Sequence, residues 1–105
     1  MIGVDIVHLP EFKKRLKKFP MDKLFLPIEL TQNTRIESLA SIFAVKEAFF
    51  KAIGRKENWL DVWIEKKESG KPELHSTFIK TNQKVDVSIS RAGDYAVAAV
   101  LLLDF

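Results

Sequence analysis

The first part of the chain alternates short apolar runs with polar positions. Residues 2–7 read as a short buried strand that is interrupted by one acid, Asp5. Pro10 then suits the first turn of a helix, where its missing N–H costs no hydrogen bond, and this helix extends to about Lys18. The N-terminal region therefore predicts a strand followed closely by a helix.

A longer helix gives the clearest signal in the sequence. Thr34 is a plausible N-cap, and Glu37 three residues later completes the capping-box pattern. Apolar residues continue at helical spacing to about Ile53, and Gly54 is a suitable left-handed residue to end the helix. This helix is apolar on nearly all sides, which predicts that it is buried on two sides.

After residue 54 the hydrophobic period changes from that of a helix to two, the period of a strand. Turn residues at 69–72, 81–83 and 91–94 separate the segments. The four predicted strands span residues 60–65, 73–79, 84–90 and 95–102. A strand, then helices, then a run of strands predicts an α+β fold in which a mostly antiparallel sheet packs on the long buried helix.

Composition narrows the class of protein. The chain has 105 residues, which predicts one domain spanning residues 1–105. It is 47% hydrophobic with eight Phe, a content that favours some apolar surface buried between subunits. It has no cysteine, which excludes disulfides and thiolate metal sites. No signal peptide is apparent and the longest apolar run is too short to cross a bilayer, so we expect a cytoplasmic protein.

Glu47 occupies an unusual position for an acid. On a helical projection it lies in the middle of the apolar stripe formed by Ile36, Ala40, Phe43 and Phe50. A carboxylate withdrawn from water must be paired, bound to a metal or protonated.

Two explanations for this acid stay open. The first is an ion pair between Glu47 and Lys51, four residues on. The second is a site for a hard cation, with Asp5 as the other carboxylate. Asp5 itself could instead cap nearby backbone amides at the end of its strand.

The net charge is only +3, but residues 11–18 carry five cations and one anion. Such a patch suits an acidic partner, although it could also be an ordinary solvated helix face. It lacks interleaved exposed aromatic residues and matches no nucleic-acid-binding motif, which argues against nucleic acid. The candidate partner-binding residues are Lys13, Lys14, Arg15, Lys17 and Lys18.

Four motifs, in this order, resemble one family. They are IGVDIV at 2–7, FAVKEAFFKAIG at 43–54, SGKP at 69–72 and VSIS at 87–90. From residue 2 to about 102 the chain resembles the holo-acyl-carrier-protein synthases, the short branch of the 4′-phosphopantetheinyl transferases. The resemblance implies that the chain transfers 4′-phosphopantetheine from coenzyme A to a serine of apo acyl carrier protein. It also implies Mg2+ dependence, release of adenosine 3′,5′-bisphosphate, a role in fatty acid biosynthesis, and a homotrimer with active sites between subunits.

The resemblance also assigns roles to individual residues. Asp5 and Glu47 match the metal ligands, and Lys51 matches the lysine beside the scissile phosphate. Glu47 and Lys51 are thus the catalytic candidates, since the proton of the serine could pass to a water near Glu47 or to Lys51. The positions that match cofactor-binding residues are Lys46, Gly70, Lys71, Pro72, Ser90 and Arg91.

Two positions depart from the family pattern. Ile42 stands where an arginine is usual, and Arg91 stands where a histidine is usual. Arg91 keeps a phosphate-binding cation but removes a group that titrates near neutral pH. An alternative function is therefore a non-catalytic trimeric module of the same fold that binds an acidic partner protein.

Overall fold

The computed structural model describes all residues 1–105. The chain forms five strands, four α-helices and one 3-10 turn. In order these are β1 (Ile2–His8), α1 (Leu9–Lys18), α2 (Met21–Leu24), α3 (Pro27–Gln32), α4 (Ile36–Ile53), a 3-10 turn (Trp59–Asp61), β2 (Val62–Lys66), β3 (Pro72–Ser76), β4 (Gln83–Ala92) and β5 (Tyr95–Asp104). No helix is both long enough and apolar enough to cross a membrane.

The strands form two antiparallel sheets. One sheet has the order β1-β5-β4, and β2 and β3 form a separate hairpin. The α+β class is confirmed, but the strands form two sheets and not the single sheet that the sequence predicted. The strand predicted at residues 73–79 ends at Ser76. The residues beyond it form a turn in which the Ser76 hydroxyl accepts a hydrogen bond from the Phe78 N–H.

The long helix α4 lies in the centre of the molecule. Its apolar residues are buried on both sides, as the sequence predicted, and include Phe43, Val45 and Phe49. Gly54 ends the helix in the left-handed conformation, with φ of 76°. The predicted capping box is wrong: the N-cap is Arg35, and no side chain caps the helix.

Strand β1 lies directly against α4. A Cβ on Gly3 would stand 1.8 Å from the carbonyl oxygen of Ala48, so only glycine allows this approach. Asp5 and Val7 share the inward face of β1 with Gly3, because side chains alternate along a strand. Strand β1 thus brings Asp5 against α4.

The opposite face of the three-stranded sheet is apolar and exposed. On β1 this outer face carries Ile2, Val4 and Ile6, and the register with β5 adds Leu101 and Leu103 beside them. Ile2 is 67% exposed and Ile6 is 61% exposed. A continuous apolar strip of this kind is unusual for a monomer in water.

Candidate active site

A cleft of about 570 Å3 opens between β1, α1 and α4. Asp5 from β1 and Glu47 from α4 lie in it beside Phe43. Helix α1 forms the opposite wall with residues at i, i+3, i+4 and i+7 spacing, which places them on one helix face. These wall residues are Glu11, Lys14, Arg15 and Lys18.

The structure brings the two predicted metal ligands into this one cleft. Asp5 is largely buried, with 15% of its side chain exposed, and its Oδ1 accepts a hydrogen bond of 2.9 Å from Lys51 Nζ. Lys51 Nζ also donates to the carbonyl oxygen of Val4 at 3.0 Å. Lys51 is therefore paired with Asp5, and the alternative ion pair between Glu47 and Lys51 is not formed.

The cleft disfavours the ionised form of Glu47. Its partial burial raises the pKa of the Glu47 carboxyl above its ordinary value, and the negative charge of Asp5 raises that pKa further. Positive charges on Lys56, Arg15 and Lys51 act in the opposite direction. Two carboxylates that repel each other in a partly buried cleft form a favourable environment for a cation.

The donor set fits Mg2+. Both acids offer hard oxygen ligands, and Mg2+ usually takes one or two carboxylates and completes its octahedron with waters and phosphate oxygens. No cluster of three or more His, Cys, Asp or Glu side chains is present, so the chain does not offer the closed site that a structural metal prefers. Asp5 and Glu47 are the residues that would hold the ion.

Lys46 does not lie in the cleft, which corrects the expectation that it binds the cofactor. Its side chain is fully buried, and Nζ donates to Glu29 Oε1 at 2.7 Å, to the carbonyl oxygen of Leu24 at 2.7 Å and to that of Trp59 at 3.0 Å. All three donors of the ammonium group are used inside the protein. Lys46 therefore holds α2, α3 and the 3-10 turn against α4.

Other predicted cofactor-binding residues gather elsewhere. Gly70, Pro72 and Arg91 line a second cavity of about 120 Å3, together with Ile42. Ser90 is exposed on β4 opposite Val97, and Lys71 Nζ lies 3.9 Å from Asp86 Oδ1. This second cavity shares no lining residue with the carboxylate cleft. Within one chain, the two groups of predicted site residues are not brought together.

The basic residues of α1 divide into two groups. Lys14, Arg15 and Lys18 line the cleft, whereas Lys13 and Lys17 do not. Arg15 does not point freely into solvent, since its guanidinium carbon lies 5.1 Å from the centre of the Phe43 ring and 5.8 Å from that of Trp59. The i, i+3, i+4, i+7 spacing along α1 is the sequence signal that could have predicted this cleft wall.

The chain is similar to known proteins over most of its length. Residues 1–100 match the model of the 4′-phosphopantetheinyl transferase superfamily. The chain is 41% identical to a holo-[acyl-carrier-protein] synthase of Kocuria rhizophila over 110 residues, covering 94% of this chain and 88% of the relative.

Solved structures agree with the sequence matches. A holo-[acyl-carrier-protein] synthase of Helicobacter pylori in complex with coenzyme A superposes with a TM-score of 0.88 at 30% identity, covering 98% of this chain and all of that one. One from Bacillus anthracis in complex with CoA (3′,5′-ADP) superposes with a TM-score of 0.82 at 34% identity, covering 96% and 93%. The chain belongs to the 4′-phosphopantetheinyl transferase superfamily, in its holo-[acyl-carrier-protein] synthase branch.

Proposed function

We propose that the chain transfers 4′-phosphopantetheine from coenzyme A to a serine hydroxyl of apo acyl carrier protein. The reaction depends on Mg2+, releases adenosine 3′,5′-bisphosphate, and supports fatty acid biosynthesis in the cytoplasm. All of residues 1–105 act as one transferase domain. The observation that carries the proposal is the pair of carboxylates, Asp5 and Glu47, set in one cleft with Lys51 bonded to Asp5.

The chemistry is a phosphoryl transfer. The serine oxygen forms a bond to the β-phosphorus of coenzyme A, and the bond from that phosphorus to the bridging oxygen breaks, so that the electron pair leaves with adenosine 3′,5′-bisphosphate. Such reactions depend on positioning and on neutralising oxygen charge. Bound at Asp5 and Glu47, Mg2+ would supply that neutralisation on the diphosphate.

The residues of the chain perform the remaining steps. Lys51, anchored by Asp5 and Val4 O, extends its exposed ammonium group to where a phosphate oxygen would be bound beside Asp5. Because Lys51 acts as a hydrogen-bond donor there, we assign the serine proton to Glu47, which receives it through a water.

A homotrimer would complete the site. The second cavity, with Gly70, Pro72 and Arg91, is separate from the carboxylate cleft in one chain, and Lys71 and Ser90 lie near it along the sequence. The apolar outer face of the sheet supplies a surface for a neighbouring copy. Association through that face would allow the second cavity of one copy to meet the cleft of the next, where it would hold the nucleotide end of coenzyme A.

The outer cations of α1 would dock the carrier protein. Lys13, Lys14, Lys17 and Lys18 form a cationic helix face at the edge of the cleft. Acyl carrier proteins are small and acidic, so such a face would steer them toward the site and speed their encounter with it. Rate enhancement of this kind decreases as the salt concentration rises.

The test is to mix the protein with coenzyme A, Mg2+ and apo acyl carrier protein and to measure the mass of the carrier. We expect the carrier to gain one phosphopantetheine group, and we expect chelation of Mg2+ to abolish the gain. Asp5→Asn and Glu47→Gln should each abolish it as well. Asp61→Asn, which removes an exposed acid outside both cavities, is the matched control and should retain activity. Salt-sensitive binding of the carrier without transfer would instead support the non-catalytic module.

A further inference from the structure

The side chain of Arg15 is partly buried and has no hydrogen-bond partner in the protein. Its Nε–H is buried and donates to no neighbouring group. A guanidinium carries five N–H donors, and leaving a buried donor unpaired is costly. An unpaired buried donor in a native structure calls for an explanation, and a functional role is one of those that occur.

The side chain of Arg15 is nevertheless held in place. Its guanidinium carbon lies 5.6 Å from the ring centre of Phe19, in addition to its contacts with Phe43 and Trp59. The rings of Phe43 and Trp59 contact each other, with centres 4.8 Å apart, so they form a continuous aromatic platform. Stacking on aromatic rings leaves the edge of the guanidinium, with its N–H groups, free to bind a ligand.

Arg15 shares its cleft with the two carboxylates but pairs with neither. Asp5 takes its ion pair from Lys51, while the positive charge of Arg15 still acts on Glu47 across the cleft. A ligand that carries both a divalent cation and an anionic group would fit between them. The cation would face the carboxylates, and the anion would face Arg15.

We propose that Arg15 binds the diphosphate of coenzyme A, its guanidinium donating to non-bridging phosphate oxygens from α1 while Lys51 acts from α4. This inference rests on the proposed function and extends it. Forked binding of two oxygens is the preferred geometry between arginine and phosphate. A carboxylate of a docking protein fits less well, because it would add a third acid beside Asp5 and Glu47 without bringing a cation. Arg15 thus differs in role from the exposed lysines on its helix.

Calorimetric titration of coenzyme A into the protein with Mg2+, without carrier, tests this role. We expect Arg15→Gln to weaken binding by about 10- to 100-fold, the effect of losing hydrogen bonds to a charged group. Arg15→Lys, which keeps the charge but loses the fork, should weaken binding less. Lys23→Gln removes an exposed cation outside the cleft and should change affinity by less than about twofold.

Dephospho-coenzyme A, which keeps the diphosphate but lacks the 3′-phosphate, locates the contact. Arg15→Gln should reduce affinity for both compounds by the same factor. A loss confined to coenzyme A would place Arg15 at the 3′-phosphate and overturn the proposal. So would unchanged affinity for coenzyme A together with a raised KM for the carrier, which would make Arg15 a docking residue.

Two controls separate the possible failures. If the wild-type protein binds no coenzyme A, the proposed function fails, and this inference fails with it. Thermal unfolding of each variant shows whether the aromatic platform still packs without the guanidinium. Since Arg15→Lys keeps a long cationic side chain on the platform, an unchanged affinity in a folded Arg15→Lys and a folded Arg15→Gln would refute phosphate binding.

Discussion

Lys46 is buried in the interior of the molecule, so its replacement tests how much its buried ion pair with Glu29 contributes to stability. Besides the bond to Lys46, the carboxylate of Glu29 accepts from the backbone N–H of Leu26 at 2.9 Å and from that of Ile64 at 3.0 Å. Both side chains of the ion pair are fully buried. Lys46→Met keeps the length and apolar stem of the side chain but removes the ammonium group.

The expected loss of stability is large. The variant leaves the carboxylate of Glu29 without its counter-charge, and it leaves the carbonyl oxygens of Leu24 and Trp59 without their Lys46 donor. Removing one partner of a buried ion pair costs about 3–5 kcal/mol. A chain of this length has a total stability of about 5–15 kcal/mol, and the corresponding fall in Tm is at least about 12 °C.

Urea unfolding at a fixed protein concentration measures this loss. Lys67→Met is the control, since it removes an exposed lysine from its ion pair with the exposed Glu73, and it should cost less than about 1 kcal/mol. The double variant Lys46→Met with Glu29→Met should lose less than the sum of the two single losses, because it leaves no unpaired charge. A Lys46→Met variant that unfolds like the wild type but binds coenzyme A weakly would refute the reasoning and make Lys46 a cofactor-binding residue.

Three further predictions test the packing, the site and the assembly. Gly3→Ala should cost about 3 kcal/mol or more in urea unfolding, because its Cβ would collide with Ala48 O, whereas Gly54→Ala, in open space, should cost only about 1–2 kcal/mol for its positive φ. Glu47→Gln should stabilise the metal-free protein at pH 7. Because the pKa of Glu47 is raised in the folded state, its protonation stabilises the fold; this stabilisation is fully present below about pH 4.5 and is lost as the pH rises through the raised pKa. Thermal melts should show that gain vanish in acid, and a gain equal at all pH values would contradict it. Ile6→Asp should convert the proposed trimer to monomers in sedimentation velocity, and an unchanged species would exclude the outer sheet face as the interface.

Local sequence patterns predicted the elements better than the contacts between them. The change of period near residue 54 and the C-terminal Gly54 placed α4 and the strands close to their observed positions. The role of Lys46 could not be predicted in this way. Because α4 is apolar on nearly every side, its period does not distinguish a polar residue facing the core from one facing a cleft. The partner of Lys46 is Glu29, 17 residues earlier on another helix, and only the tertiary packing brings the two together.

The packing of β1 on α4 sets the distance between Asp5 and Glu47, the two acids that the sequence predicted as a pair. Gly3 allows the backbone of β1 to rest on the backbone of α4, and Asp5 follows two residues later on the same face of the strand. The separation of the two acids is therefore set by contact between main chains, which cannot relax as a flexible side chain can. Partial burial raises the pKa of Glu47, and the repulsion from Asp5, which persists in the folded protein, raises it further. A divalent cation bound between the two acids would relieve that repulsion, so the close approach that Gly3 permits favours the proposed Mg2+ site.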